Sequence, residues 1–200
     1  VIAIVDYGLG NVSAFETVYR RLNISAMAAK TAADLEAADH IILPGVGAFD
    51  HAMELIDASG LRQVLEKRIV GDRTPVLGVC VGMQILADSS EEGSRAGLGW
   101  ISGRVRRLDA GALPLPHMGW NTPEPAEGEA LFTDLKTDAE FYFLHSYYFD
   151  AARPEDVVAS VEYGGRFPCA VRRDNVMGVQ FHPEKSHRNG VRLLKNFAEI

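Results

Sequence analysis

The stretch Pro75-Val76-Leu77-Gly78-Val79-Cys80-Val81-Gly82-Met83-Gln84 decides the reading of this 200-residue chain. An apolar run leads into one cysteine, a glycine stands two residues away on each side, and a helical pattern follows. The pattern predicts a strand, a tight turn with Cys80 at its tip, and a helix. This is the G-x-nucleophile-x-G elbow, with sulfur where hydrolases often carry a serine hydroxyl. The glycines permit the chain reversal and a close passage of helix over strand. A cysteine held there sits at the positive end of a helix beside free backbone N–H groups, a setting that suits a sulfur nucleophile.

Upstream, Val1-Ile2-Ala3-Ile4-Val5-Asp6 reads as a buried parallel strand. Tyr7-Gly8-Leu9-Gly10-Asn11 lacks both G-x-G-x-x-G and the P-loop G-K-[ST], so it reads as a turn in which Asn11 caps a helix over about residues 12–22. A second strand is expected over 25–30, a capped helical turn at 31–35, and a third strand at 40–43. Pro44-Gly45-Val46-Gly47-Ala48-Phe49 then follows a strand with accessible backbone N–H groups, the material of an oxyanion hole as well as of an ordinary turn. Residues 50–70 carry helical periodicity broken at Gly60. The order βαβ(α)βαβα with short connections predicts a mostly parallel sheet with helices on both faces. Ligands bind such sheets outside the carboxyl ends of the strands, where loop 44–49 and Cys80 both lie.

The second half changes character. Residues 101–108 alternate, with Arg104, Arg106 and Arg107 forming a solvated basic face rather than a phosphate patch. Leu115-Pro116-His117-Met118-Gly119-Trp120-Asn121 reads as a loop, either a buried corner or an anchor for a partner protein. Strands are expected at 140–144, 157–163, 167–172 and 176–181, with Gly164-Gly165 as a hairpin signal. A final helix covers about residues 189–198. Antiparallel and mixed β-structure is thus added to the parallel half, and without repeat or linker residues 1–200 are expected to form one α/β domain.

A cysteine nucleophile needs a base and a group to orient the base. Of the histidines, His40, His51 and His187 read as structural or solvated, whereas His117, His145 and His182 remain candidates. His182 ends an apolar strand, and Pro183 confines it to extended geometry. Glu184, two residues on, points to the same side and can fix the ring. No His-x-x-x-His or other ligand pair favours a metal. A formal charge of −7 argues against nucleic acid. No apolar run approaches the roughly 18 residues of a membrane span, and no signal pattern opens the chain. Only Cys80 and Cys169 are present, which suits a reducing cytoplasm.

Gly78-Val79-Cys80-Val81-Gly82-Met83-Gln84 and Gly178-Val179-Gln180-Phe181-His182-Pro183-Glu184 resemble the two signatures of the class I, triad-type glutamine amidotransferases. Loop 44–49, residues 116–121 and Phe141-Tyr142-Phe143-Leu144-His145-Ser146-Tyr147 narrow the resemblance to the glutaminase subunits of imidazole glycerol phosphate synthases, of histidine biosynthesis. The resemblance implies that Cys80 attacks the amide carbon of L-glutamine, that N–H groups near Val46, Gly47 and Val81 hold the oxyanion, and that His182 and Glu184 complete the triad. It implies that Gln84 and His145-Ser146-Tyr147 bind the α-amino and carboxylate ends of glutamine; by residue pattern alone Gln84 is an exposed helix residue. It further implies a heterodimer with a (β/α)₈-barrel cyclase, which makes imidazole glycerol phosphate and an AICAR-type by-product. Asn11, Met118, Trp120, Tyr142 and Lys185 match positions that face that barrel, and no cofactor is implied. Val81 departs from the commoner leucine, at a place where only its N–H is required. Subunits for anthranilate or pyridoxal phosphate synthesis fit the motifs at 44–49 and 116–121 less well, and a non-catalytic module is disfavoured by the intact Cys80, His182 and Glu184.

Overall fold

The computed structural model describes residues 1–200. Its first half is β1 (Ile2–Val5), α1 (Val12–Arg21), β2 (Ala26–Ala29), α2 (Ala32–Glu36), β3 (His40–Gly45), α3 (Phe49–Ser59), α4 (Arg62–Glu66), β4 (Val76–Cys80) and the single turn α5 (Val81–Gln84). The strands form where short runs of apolar, often β-branched residues are buried on both faces, as parallel strands between helices require. The punctuation expected from side chains is present. Asn11 Oδ1 accepts from Ala14 N, Thr31 and Asp34 form a capping box, and Gly60 ends α3 with φ +72°.

The second half adds β5 (Ser89–Ser90), β6 (Gly103–Arg107), β7 (His117–Asn121), β8 (Glu124–Pro125), β9 (Phe141–His145), β10 (Tyr147–Ala151), β11 (Val157–Glu162), β12 (Arg166–Arg173), β13 (Val176–Val179) and α6 (His187–Ala198). The main sheet runs β2-β1-β3-β4-β13-β12-β11-β8. Its first five strands are parallel, and β12, β11 and β8 continue it antiparallel, so the mixed α/β architecture expected from the pattern is the one found. Two small sheets, β10-β6-β5 and β7-β9, stand outside it. No helix is long and apolar enough to cross a membrane.

Two local expectations are corrected. Residues 117–121 form a strand rather than a loop, because β9 offers a matching antiparallel partner, with His117 opposite His145 and Trp120 opposite Tyr142. The helix after Cys80, expected from the sequence to run on to the polar loop at 89–93, stops after one turn. The carbonyls of Ile85, Leu86 and Ala87 accept from Leu98, Ile101 and Gly99, so this segment pairs with a distant one instead of continuing a helix. The basic strand holds up as a solvated face: Arg106 pairs with Glu91 and Asp150.

The elbow rests on close backbone packing. A Cβ on Gly82 would stand 1.9 Å from Leu43 O, and one on Gly78 would stand 2.5 Å from Gly82 O. Gly82→Ala is therefore expected to destabilise the protein by about 3 kcal/mol, read as a lowered urea midpoint at unchanged slope.

Candidate active site

Cys80 ends β4 with φ +56° and ψ −113°, a conformation rare for a residue with a side chain. The strain, typically about 1–3 kcal/mol, is held by buried β4 on one side and the packed turn of α5 on the other. Loop 44–48 lies beside it because β3 and β4 are neighbours, with Gly45 in register with Cys80. The N–H groups of Val46 and Gly47 donate to no acceptor in the chain. As the first residue of α5, Val81 has an N–H without an intrahelical partner. The base of this loop is anchored by Tyr7, whose hydroxyl donates to Pro44 O at 2.6 Å. Burial, and then the nearby Cys80, push the Tyr7 phenol up, so it stays a donor.

His182 follows β13, the strand on the other side of β4. Its backbone bridges to Tyr142 of β9, and its carbonyl accepts from the Ser186 hydroxyl at 2.6 Å. Pro183 leaves it extended, as the sequence suggests, but Glu184 is reached through a 3₁₀ turn over Pro183–Lys185 rather than along a strand. His182 Nδ1 and Glu184 Oε1 stand 2.8 Å apart with both side chains almost wholly buried. Burial alone would push the imidazolium down, but the interactions with Cys80 and with the Glu184 carboxylate outweigh it and hold the His182 pKa at about 9. The ring is charged at neutral pH and presents its other edge to the sulfur.

A cavity of about 320 Å³ opens on these groups. It is lined by Val46, Gly47, Cys80, Val81, Gln84 and His182, by His145, Ser146, Tyr147 and Lys185, and by Glu92, Pro116 and Leu144. The first ten are site candidates in the sequence; Pro116 and Leu144 belong to quoted motifs but have no role assigned there, and Glu92 is not marked at all. Glu92, the only acid lining the cavity, lies in a polar run with no distinguishing pattern, and it is positioned by accepting from Phe49 N at 3.2 Å. Gln84 is 3% exposed, so the reading of it as an exposed helix residue is wrong: α5 is too short to have a solvent face and packs against β13.

His117 and His145 do not approach as bases. His145 Nδ1 donates to Tyr147 O at 2.8 Å, leaving Nε2 to accept from His117 Nδ1 at 2.9 Å. Burial pushes both rings down, to about 4 for His117 and about 3 for His145, so both are neutral supports of the cavity wall. The other face of the β7–β9 ribbon presents Met118 at 65% and Trp120 at 45% exposure, with Leu144 and Tyr142 beside them. Lys185 lies 5.9 Å from the Tyr142 ring, and Asn11 and Lys185 line one small cavity next to His182 and Glu184. Of the five residues matched to a partner face, Lys185 lines the cavity, Asn11 shares a small adjoining cavity with it, and Tyr142 connects Lys185 to Trp120, whereas Met118 and Trp120 lie on the exposed face of the ribbon outside the cavity lining.

The model of the class-I glutamine amidotransferase family matches residues 3–200, and the chain belongs to that family. It is 54% identical, over the whole of both chains, to a protein of Bdellovibrio bacteriovorus named imidazole glycerol phosphate synthase subunit HisH. A subunit of the same name from Leptospira interrogans is 48% identical, again over the whole of both. A crystal structure described as a glutamine amidotransferase superposes with a TM-score of 0.77 at 23% identity, covering 98% of this chain and 97% of that one, which speaks for the fold alone.

The raised His182 pKa has a defined sign. Its pairing stabilises the fold fully below the unfolded value near 6.5, and that contribution is lost as pH rises through about 9. In urea unfolding, the stability advantage of the wild type over Glu184→Gln is expected to be largest near pH 6 and to shrink by pH 10. The depressed His117 and His145 act oppositely: their contribution is present above about 6.5 and is lost as pH falls through their folded values of about 4 and 3.

Proposed function

We propose that this chain, as one domain over residues 1–200, is the glutaminase subunit of an imidazole glycerol phosphate synthase. The observation that carries the reading is the strained Cys80 sharing one cavity with His182, itself held by Glu184, and with the unpaired N–H groups of Val46 and Gly47. The sulfur of Cys80 attacks the side-chain amide carbon of L-glutamine, a C–S bond forms, and the carbonyl π pair moves to oxygen. The N–H groups of Val46, Gly47 and Val81 receive that charge, as donors fixed in place before reaction do most effectively. His182 gives its proton to the amide nitrogen, the C–N bond breaks, and ammonia leaves. Water then attacks the glutamyl thioester, loses a proton to His182, and the C–S bond breaks to release glutamate. Glu184 fixes the tautomer and steadies the imidazolium.

The opposite end of the substrate fits the rest of the cavity. Gln84, with the acid Glu92, suits the α-ammonium, and the backbone of His145-Ser146-Tyr147 with Lys185 suits the carboxylate. No cofactor enters the scheme. Ammonia would be passed to a (β/α)₈-barrel cyclase in a cytoplasmic heterodimer that makes imidazole glycerol phosphate and an AICAR-type by-product for histidine biosynthesis. The exposed Met118 and Trp120 lie on the ribbon beside Tyr142, whose ring faces Lys185 of the cavity lining, and support docking on this face: aromatic and methionine side chains are what interface cores are enriched in.

Cys80→Ala is expected to abolish glutamine-dependent synthesis while leaving synthesis from added ammonium salt intact. Residual activity on glutamine would remove Cys80 as nucleophile. The isolated chain is expected to hydrolyse glutamine slowly and to accelerate by orders of magnitude with the barrel subunit and its nucleotide ligand. Equal rates with and without the partner would overturn the coupling.

A further inference from the structure

Two buried primary amides form a chain of hydrogen bonds leading away from the sulfur, and these bonds leave only one arrangement. Gln180, directly after β13, is wholly buried. Because Val179 is in register with Val79 across the parallel pair, the next residues along, Gln180 and Cys80, lie side by side. Gln84 Nε2 donates to Tyr147 O at 3.2 Å and to Gln180 Oε1 at 3.1 Å. Gln180 Nε2 donates to Cys80 Sγ at 3.8 Å.

The orientation of both amides follows from one group. A backbone carbonyl can only accept, so Tyr147 O requires the nitrogen of Gln84 to face it. Tyr147 O is itself held by the Nδ1–H of His145. With both N–H groups of Gln84 committed, Gln180 must turn its oxygen to Gln84 and its NH₂ to the sulfur. Gln84 Oε1 takes no donor from the chain, and Gln84 lines the cavity, so an acceptor oxygen is what it offers there. A flipped Gln84 would face the pocket with a donor and would repel an ammonium group instead of binding it.

We propose that Gln180 is a further catalytic residue of glutamine hydrolysis, donating an N–H to the Cys80 sulfur and holding the Gln84 amide with its oxygen toward the substrate ammonium. This rests on Cys80 being the nucleophile. The donated N–H matters most where the sulfur carries an electron pair away. In the second half-reaction water adds to the thioester carbonyl, a C–O bond forms, His182 takes the proton, and the C–S bond breaks with its pair moving to sulfur. A donor already aimed at the sulfur stabilises that departure without reorganisation. Hydrogen bonds to charged groups in buried sites are the strong ones. The second task is separable from the first, because it uses the oxygen of Gln180 and not its NH₂.

The test uses Gln180→Glu and Gln180→Met in the full chain, alone and with its synthase partner, each checked for folding by circular dichroism and urea unfolding. Glutamate keeps an acceptor for Gln84 but offers no N–H when ionised. Gln180→Glu is expected to lower kcat at least about tenfold with KM for glutamine within about twofold, and to regain rate as pH falls and the carboxyl becomes a donor. Gln180→Met loses both contacts and is expected to lower kcat and also to raise KM about tenfold. In both variants the glutamyl thioester should accumulate on Cys80 to a higher fraction than in the wild type, read by mass spectrometry after acid quench. Folded variants with unchanged kcat, unchanged KM and no added thioester would overturn the proposal. If Gln180→Met does not fold, Gln180→Glu alone decides: an unaltered kcat overturns it. Hydrolysis that survives Cys80→Ala would instead overturn the nucleophile itself, a distinct outcome.

Discussion

The approach of the Gly82 backbone to the Leu43 carbonyl is the contact on which the site depends. No side chain fits between them, and the turn of α5 therefore lies directly on the ends of β3 and β4. That closeness leaves Cys80 no relaxed conformation and gives it φ +56°. It also draws the free N–H groups of loop 44–48 to the edge from which the sulfur projects. One steric constraint thereby sets the position of the nucleophile and of the donors proposed for its oxyanion. The strain is tolerable because β4 is buried along its whole length in a core that resists local relaxation.

The site is joined from two halves of different character. The parallel half supplies Cys80 and loop 44–48, and the later half supplies His182, Glu184 and the wall carrying His145 and Tyr147. Strand β13 unites them by entering the sheet between β4 and β12, parallel to one and antiparallel to the other. This single insertion puts Gln180 beside Cys80 and delivers His182 two residues beyond. The β7–β9 ribbon then closes the cavity. Its inner face carries His117 and His145, kept neutral by burial, and its outer face carries Met118 and Trp120. Alternation along a strand makes one short element serve both the cavity wall and the exposed surface proposed for a partner.

Family membership and site geometry speak about different things. The match over residues 3–200 and the 54% and 48% identical relatives concern the whole chain. The charged state of His182, the neutral state of His117 and His145, and the direction of the amides of Gln84 and Gln180 come from local physics that no overall likeness contains. Each is decided by a countable set of donors, acceptors and buried charges.

Local pattern in the sequence determined the elbow, the parallel half, the caps at Asn11 and Thr31, the break at Gly60 and the pairing of His182 with Glu184. In all of these the interacting residues are near neighbours along the chain, or the signal is a run of apolar residues whose burial is unavoidable. Tertiary structure alone decided what depends on partners far apart in sequence. The strand at 117–121 exists because β9 accepts it, α5 stops because residues 98–101 take the carbonyls of Ile85, Leu86 and Ala87 directly after it, and Glu92 enters the cavity because Phe49 N holds it. Gln84 is buried, and Gln180 meets the sulfur, only once β13 lies against β4. Hydrogen-bond direction between buried groups is a property of the closed network, and a linear sequence does not contain it until the chain has folded.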